Sequence, residues 1–444
     1  MKNTAQRLSQ KEYENNFAEI HTPLTDISAK AEAERCLYCF DSPCTKSCPT
    51  HIDIPAFIKK ISTDNLLGSA KTILESNWVA LTCAKACPVQ VLCEGACVYN
   101  EKGEKPVEIG RLQRYVMDNY FDSGMPEIFT KADKKNKSVG IVGSGPAGLA
   151  CGAELTLLGY NVTVYESNKI PGGLDSWGIA PYKMRQKDSL KEVKLVKDLG
   201  VKIKTGIKIG ETISFDELLK KHDAVFLGIG LSDSPGLEIP GENLKGVYDA
   251  LSFIEEVKSE KWNKIKIGKR VAVIGAGNTA IDAATEAKRL GAKQVYIIYR
   301  RTSSHMSAYD FEFILAKKDE VVFQFNSVPV KILGKKHVEG ILCKTTKVDG
   351  RSKISIVPNS KFSIPLDMVI KAIGQKPHQN FLNSIPKLKM NKGKVVVNKK
   401  MFQTGNPRVF AGGDCINGGK EVVNAAYDGK KAAHGIDEYL SNLN

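Results

Sequence analysis

The chain has 444 residues, 42% of them hydrophobic, and a formal charge of +15. That length allows two or three domains of roughly 150 residues each, and the hydrophobic share supports packed cores over disorder. Its lysines are spread through KADKKNK, KSEKWNKIKIGKR and KLKMNKGKVVVNKK, with no arginine-rich arm or interleaved aromatics; this argues against a nucleic-acid binder and leaves a solvated surface, with an acidic partner or anionic cofactor as its second use.

The opening residues, MKNTAQRLSQKEYENNF, contain no apolar h-region. Apolar stretches elsewhere break before the ~20 residues a membrane span needs. The expectation is a cytoplasmic protein with neither a membrane nor a nucleic-acid partner. In a reducing compartment, clustered thiols read as metal ligands or redox centres before disulfides.

Eight of the eleven cysteines fall between positions 36 and 97. Cys36, Cys39, Cys44 and Cys48 form Cys-x2-Cys-x4-Cys-x3-Cys-Pro, and Cys83, Cys87, Cys93 and Cys97 follow. Ferredoxin-type runs share this style of spacing, yet Cys-x2-Cys is equally a zinc half-site. Iron would carry electrons where zinc is redox-inert, so a redox domain elsewhere on the chain would favour iron. Around these thiols, IPAFIKKIS, GSAKTILESN and EIGRLQRYVMDNYF space apolar residues three and four apart, as buried helix faces do. Residues 1–130 therefore read as a helical domain, closed by the polar linker TKADKKNK.

At 138 the pattern changes to strand, glycine turn, helix and strand, in KSVGIVGSGPAGLACGAELTLLGYNVTVYES. Gly143, Gly145 and Gly148 form GxGxxG, with Ser144, Pro146 and Ala147 between them. The first glycine permits the tight turn, the second admits a pyrophosphate, and the third lets helix and strand close. Glu166, at the tip of the second strand, suits a ribose diol. KRVAVIGAGNTAIDAATEAKRLGAKQVYIIYRR repeats the plan at 269–301. Here Gly275, Ala276, Gly277, Asn278 and Thr279 lead into Ala280, the accepted GxGxxA variant. Its strand ends in Arg300 and Arg301, which can pair with a 2′-phosphate, or can simply sit solvated. Two such units mean two dinucleotide-binding domains, and AGGD near the C-terminus opens a further strand, turn and helix.

These features resemble the two-dinucleotide-domain flavoprotein family. The resemblance implies FAD in the first unit, a nicotinamide nucleotide in a second unit inserted within it, and Gly413 and Asp414 against the flavin. Gly173, Leu174 and Lys183 of GGLDSWGIAPYKMRQ join that site, although Lys183 stands where an arginine is usual. Many members reduce disulfides through Cys-x-x-Cys; Cys151, Cys343 and Cys415 have no such partner.

RCLYCFDSPCTKSCPT, LTCAKACPVQVLCEGAC and IGRLQRY together resemble the cluster domain of the dihydropyrimidine dehydrogenase family, and nearly the whole chain resembles the FAD and iron–sulfur subunit of its bacterial form. The glutamate synthase small subunit shares the architecture. The five-residue gap between Cys87 and Cys93, and Gln113 in place of glutamate, side with the pyrimidine enzyme. The resemblance implies one 4Fe-4S cluster on Cys36, Cys39, Cys44 and Cys97. It implies a second on Cys48, Cys87, Cys93 and the amide of Gln113, with Cys83 a non-ligand.

The expected fold is α/β: two Rossmann-like domains, one inserted in the other, preceded by an α-helical iron–sulfur domain. The expected boundaries are 1–130 for the clusters, 137–255 with 373–444 for FAD, and 265–372 for NAD(P)H. Electrons would pass from NADPH or NADH through FAD and two clusters to a partner that reduces uracil or thymine, or in reverse. No room remains for an FMN barrel, so that FMN-containing catalytic subunit, with its own iron–sulfur clusters, lies on another chain of a hetero-oligomer. A glutamate synthase small subunit or NAD(P)H:ferredoxin-type reductase is the alternative.

Overall fold

The computed structural model describes residues 4–232, 234–349 and 353–443. In chain order, α1 (Gln10–Asn16) precedes the helices of the cysteine-rich region, hereafter its cysteine-bearing helices, α2 (Asp26–Glu34), α3 (Pro43–Ser47), α4 (Ile54–Ser62), α5 (Leu66–Leu74), α6 (Ala80–Ala86) and α7 (Ile109–Asp122), of which α3 and α6 carry Cys44 and Cys83 themselves. Then come β1 (Ser138–Val142), α8 (Pro146–Leu157), β2 (Asn161–Glu166), α9 (Leu174–Trp177), α10 (Gln186–Asp198), β3 (Lys202–Thr205), α11 (Phe215–Lys221) and β4 (Ala224–Leu227). The middle stretch holds β5 (Val247–Asp249), α12 (Ala250–Lys258), β6 (Arg270–Ile274), α13 (Asn278–Arg289), β7 (Gln294–Ile298), α14 (Asp310–Lys318) and β8 (Val322–Gln324). It continues with β9 (Ser327–Leu333), β10 (Gly340–Val348), β11 (Ile354–Pro365) and β12 (Met368–Lys371). The chain closes with α15 (Gln379–Asn383), β13 (Met390–Asn391), β14 (Lys394–Val395), β15 (Val409–Ala411), α16 (Asp414–Asn417) and α17 (Val422–Ser441).

Two compact units result. The larger takes His21–Ser176, Lys183–Leu231 and Pro377–Asn444. Its parallel sheet has the order β15-β4-β1-β2-β3. Strands β1 and β4 are buried almost throughout, as parallel strands covered on both faces must be. The order reverses between β1 and β4, and such a switch point opens a crevice beyond the strands' carboxyl ends. The cysteine-bearing helices share one apolar core with this sheet, in which Phe57, Ile58, Ile61, Leu81 and Val116 lie beside Val139, Ile141 and Leu155. Helix α4 shows why: Asp53 caps the Ala56 amide at 3.1 Å, and Ile54, Phe57, Ile58 and Ile61 then fall on one buried face.

The smaller unit has the parallel order β5-β12-β6-β7-β8, with the antiparallel sheet β11-β10-β9 beside it. Its switch point lies between β6 and β12. This unit comprises more than residues 265–372. It also holds Ser232–Lys264, Trp177–Tyr182 and the chain's opening up to Ile20. Pairing explains the first addition, since Val247–Asp249 adds to the sheet along Val369–Lys371. Packing explains the last: Phe17 of the α1 C-cap stacks on Trp262 with centroids 4.7 Å apart, and Asn16 bonds the Arg289 carbonyl at 2.9 Å. Among the described residues no helix is long and apolar enough to cross a membrane.

Candidate functional site

The first glycine turn sits at the β1/β4 switch point. Gly143 has φ +94°, and a Cβ there would stand 2.4 Å from the Gly228 carbonyl oxygen, so only glycine fits. A Cβ on Gly148 would meet the Gly143 carbonyl oxygen at 2.0 Å, which is why α8 can close onto the turn. Pro146 opens α8 with Gly145 as its N-cap, leaving the amides that follow Pro146 available to an anion. Gly173 (φ +58°) brings its backbone against that of Gly145; a Cβ on it would lie 2.7 Å from the Gly145 Cα. The two glycines leave the narrow cradle that a pyrophosphate requires.

Glu166 is 5% exposed and engaged through both oxygens. One accepts the Ser144 amide at 3.0 Å and the Ser144 hydroxyl at 2.6 Å, and the other accepts the Asn168 amide at 2.7 Å. Ser144 Oγ accepts in turn from the Gly172 amide at 3.0 Å. The carboxylate thus fixes the turn. Leu174 begins α9, and Lys183 is half-buried just after Tyr182. At the other edge, Gly413 (φ +76°) donates its amide to Asp428 at 3.0 Å, and Asp414 accepts from the Lys420 amide at 3.2 Å. Burial pushes the Asp428 carboxyl up to about 6 and raises Asp414 as well. Asp428 was not singled out in the sequence, because it lies fifteen residues beyond the glycine it holds.

The second glycine turn borders a cavity of about 620 Å³, within the range of small-molecule sites. Gly275, Ala276, Gly277, Thr279 and Arg300 line it, as do Tyr299, Ser307, Ser327 and Gly374. Asn278 serves otherwise: its Oδ1 accepts the Tyr309 amide at 3.1 Å. Arg301 is absent from the lining, and its buried Nε has no partner among the described residues. The carbonyls of both arginines are held from behind, Arg300 by Thr346 Oγ1 at 2.9 Å and Arg301 by the Asn326 amide at 3.0 Å. Ser307 stands across the second glycine turn, where a Cβ on Gly277 would meet its Oγ at 3.2 Å, and so lines the cavity although it lies thirty residues further along the chain.

The thiols gather in two groups. Cys36, Cys39, Cys44 and Cys97 line one small apolar cavity with Pro43, Ile54 and Tyr99. Burial pushes the Cys44 thiol up to about 11, with Cys36 and Cys97 adding to it, and burial likewise raises Cys36. In the other group, Cys87 is raised by its hydrogen bond with Cys83, by burial, and by Cys93 and Cys48. Cys93 is raised by burial, Glu94 and Cys48. Such thiols hold their protons until a cation displaces them. Three non-glycine residues with positive φ, Tyr38, Ser42 and His51, wrap the chain around the first run. Among the described residues no three His, Cys, Asp or Glu side chains converge as they would on one ion. Cys36, Cys39, Cys44 and Cys97 line one cavity together, a four-thiolate donor set of the kind that holds an iron–sulfur cluster. Gln113 is buried on α7 and donates from Nε2 to the Ala80 carbonyl at 2.7 Å.

Residues 137–429 match the pyridine nucleotide-disulphide oxidoreductase family, and residues 13–125 match dihydropyrimidine dehydrogenase domain II, 4Fe-4S cluster. The chain belongs to the pyridine nucleotide-disulphide oxidoreductase family. This oxidoreductase is 33% identical over 445 residues to the glutamate synthase [NADPH] small chain of Escherichia coli (strain K12), with 96% of this chain and 94% of that one covered. It is also 33% identical over 427 residues to the NAD-dependent dihydropyrimidine dehydrogenase subunit PreT of the same organism, covering 96% and 98%. In fold it is similar to Mycobacterium tuberculosis FprA in complex with NADPH, at TM-score 0.57 and 20% identity over 70% of this chain and 86% of that one. It is similar as well to T. acidophilum thioredoxin reductase, at TM-score 0.54 and 22% identity over 70% of this chain and 100% of that one. The oxidoreductase uses FAD, a nicotinamide coenzyme and 4Fe-4S iron as its cofactors. Despite the family's name, Cys151, Cys343 and Cys415 are each buried as free thiols.

Proposed function

We propose that this oxidoreductase is the electron-input subunit of a dihydropyrimidine dehydrogenase, working with an FMN-containing subunit that interconverts uracil or thymine and the 5,6-dihydro form. The observation that carries this reading is the second thiol group: Cys87 and Cys93 with five residues between them, and a buried Gln113 anchored on Ala80. The match of residues 13–125 to the dihydropyrimidine dehydrogenase domain supports it. Cys36, Cys39, Cys44 and Cys97 would hold one cluster, and Cys48, Cys87, Cys93 and Gln113 the other. FAD held at the Gly143–Gly148 turn would supply the conversion of one nicotinamide hydride, two electrons, into the single-electron steps that iron–sulfur clusters can carry. The residues themselves hold and orient: Glu166 and Ser144 set the pyrophosphate turn, Asp428 sets the Gly413 turn, and Arg300 receives the coenzyme's 2′ end. Arg300 in the cavity supports a modest preference for NADPH.

A second reading, a glutamate synthase small subunit, is favoured by the equal identity to that relative. The native complex separates them. Purified anaerobically with its partner and given NADPH, it should reduce uracil and leave glutamine plus 2-oxoglutarate untouched. The opposite acceptor choice overturns the proposal. The chain alone should reduce a dye, hold close to eight iron and eight sulfide, keep both clusters as Cys83→Ser and lose one as Cys48→Ser.

A further inference from the structure

Between the flavin turn and the second thiol group lies a buried carboxylate that the reaction so far leaves unused. Glu192 of α10 is 1% exposed. Its Oε1 accepts the amides of Leu81 at 2.7 Å and Thr82 at 3.1 Å, and its Oε2 accepts the Thr82 hydroxyl. The Leu81 N–H and the Ala80 C=O belong to one peptide group. The far side of that group, the Ala80 oxygen, is what receives Gln113 Nε2 at 2.7 Å. A carboxylate, a peptide and a carboxamide are therefore joined in a single hydrogen-bonded row.

Resting on the ligand set proposed above, we propose that Glu192 is a positioning residue for Gln113, acting through the Ala80–Leu81 peptide to hold the amide oxygen toward the second cluster and to strengthen it as a donor. The physics runs along the row. Burial pushes the Glu192 carboxyl up to about 7; above that pH its negative charge pulls the Leu81 proton, which loads the Ala80 oxygen, which in turn draws on the Gln113 N–H bond and enriches Oε1. Hydrogen bonds in a chain polarise one another, and more so away from water. Orientation follows as well, because a flipped amide would set its oxygen against the Ala80 oxygen. The partners behind a metal ligand fix its direction and its basicity, and hydrogen bonding and net charge set the potential of an iron–sulfur cluster.

The test uses the full-length protein with both clusters loaded. Glu192→Gln keeps an acceptor for the Leu81 amide but loses the charge. It should retain FAD and eight iron, shift the midpoint potential of one cluster upward with a changed EPR signal, and leave the other cluster as it was. Gln113→Ala should perturb that same cluster, by loss of its iron or of its signal. If Glu192→Gln leaves both potentials and signals at wild-type values while Gln113→Ala does not, the relay is overturned and the ligand set stands. If Gln113→Ala changes neither cluster, the ligand set falls and the relay with it. If Glu192→Gln loses all iron, Glu192→Asp, which keeps the charge, decides. Restored iron with a displaced potential for one cluster upholds the relay, and loss of both clusters again makes Glu192 a general folding residue.

Discussion

The two βαβ units are built on one plan and part at two positions. Each places its first glycine at the reversal of strand order, with positive φ and a carbonyl of the neighbouring strand end in the way of any Cβ: Gly228 for Gly143 and Ala372 for Gly275. They differ at the third turn position, Gly148 against Ala280, and at the strand tip, Glu166 against Arg300. The shared part specifies a diphosphate beside a helix start. The strand tip decides which nucleotide follows, by offering an acceptor for a ribose diol or a cation for a phosphate.

Gly148→Ala is the strongest way to break that comparison. The same alanine that the second unit accepts at 280 would stand 2.0 Å from the Gly143 carbonyl oxygen in the first. The purified protein should lose its flavin absorbance; normal flavin content would mean that the two turns are equivalent after all. Next comes the strand tip. Arg300→Ala with Arg301→Ala should raise the KM for NADPH roughly tenfold or more, one charge-assisted contact being worth about 1.5 kcal/mol or more. The KM for NADH and kcat should change little, because the contact is remote from the hydride. Equal effects on both coenzymes would remove the arginines' role.

A milder change sharpens the contrast. Ser307→Arg adds a cation to the cavity lining and should lower the KM for NADPH a few-fold, with NADH unaffected, on steady-state titration. The smallest effect belongs to Ala280→Gly. Ala280 is the third residue of α13, so the change should cost less than the roughly 1 kcal/mol of a helix-interior glycine, seen as a slightly lower thermal midpoint, with both KM values intact. A large KM change would show that Ala280 does more than pack.

What was legible in the sequence was local. Glycine turns, strand tips and cysteine spacings each span a few residues, and the structure brings the residues of each turn together. What was not legible depends on partners far away in the chain. Nothing in Ser232–Lys264 announces that Val247–Asp249 will pair with Val369–Lys371. Asn278 reads as a turn residue facing a ligand, yet it is spent on Tyr309, thirty-one residues later. Composition misled by averaging: residues 1–130 hold 14 Lys and Arg against 17 Asp and Glu, leaving 50 against 32 for the rest. The +15 therefore belongs to the stretch that binds dinucleotide phosphates, where it favours arrival of an anionic coenzyme.

The stacking of Phe17 on Trp262 bears on the order of events at the ribosome. Tyr13 and Phe17 leave the exit tunnel well before Trp262, on which both rings pack. At roughly 5–20 residues per second, that interval lasts on the order of ten to fifty seconds. During it, two aromatic side chains have no native seat. The helices around the cysteines follow them out and must collapse while tethered to that unseated segment. Phe17→Ala would lighten that exposure, and would leave Trp262 without its stacking partner instead.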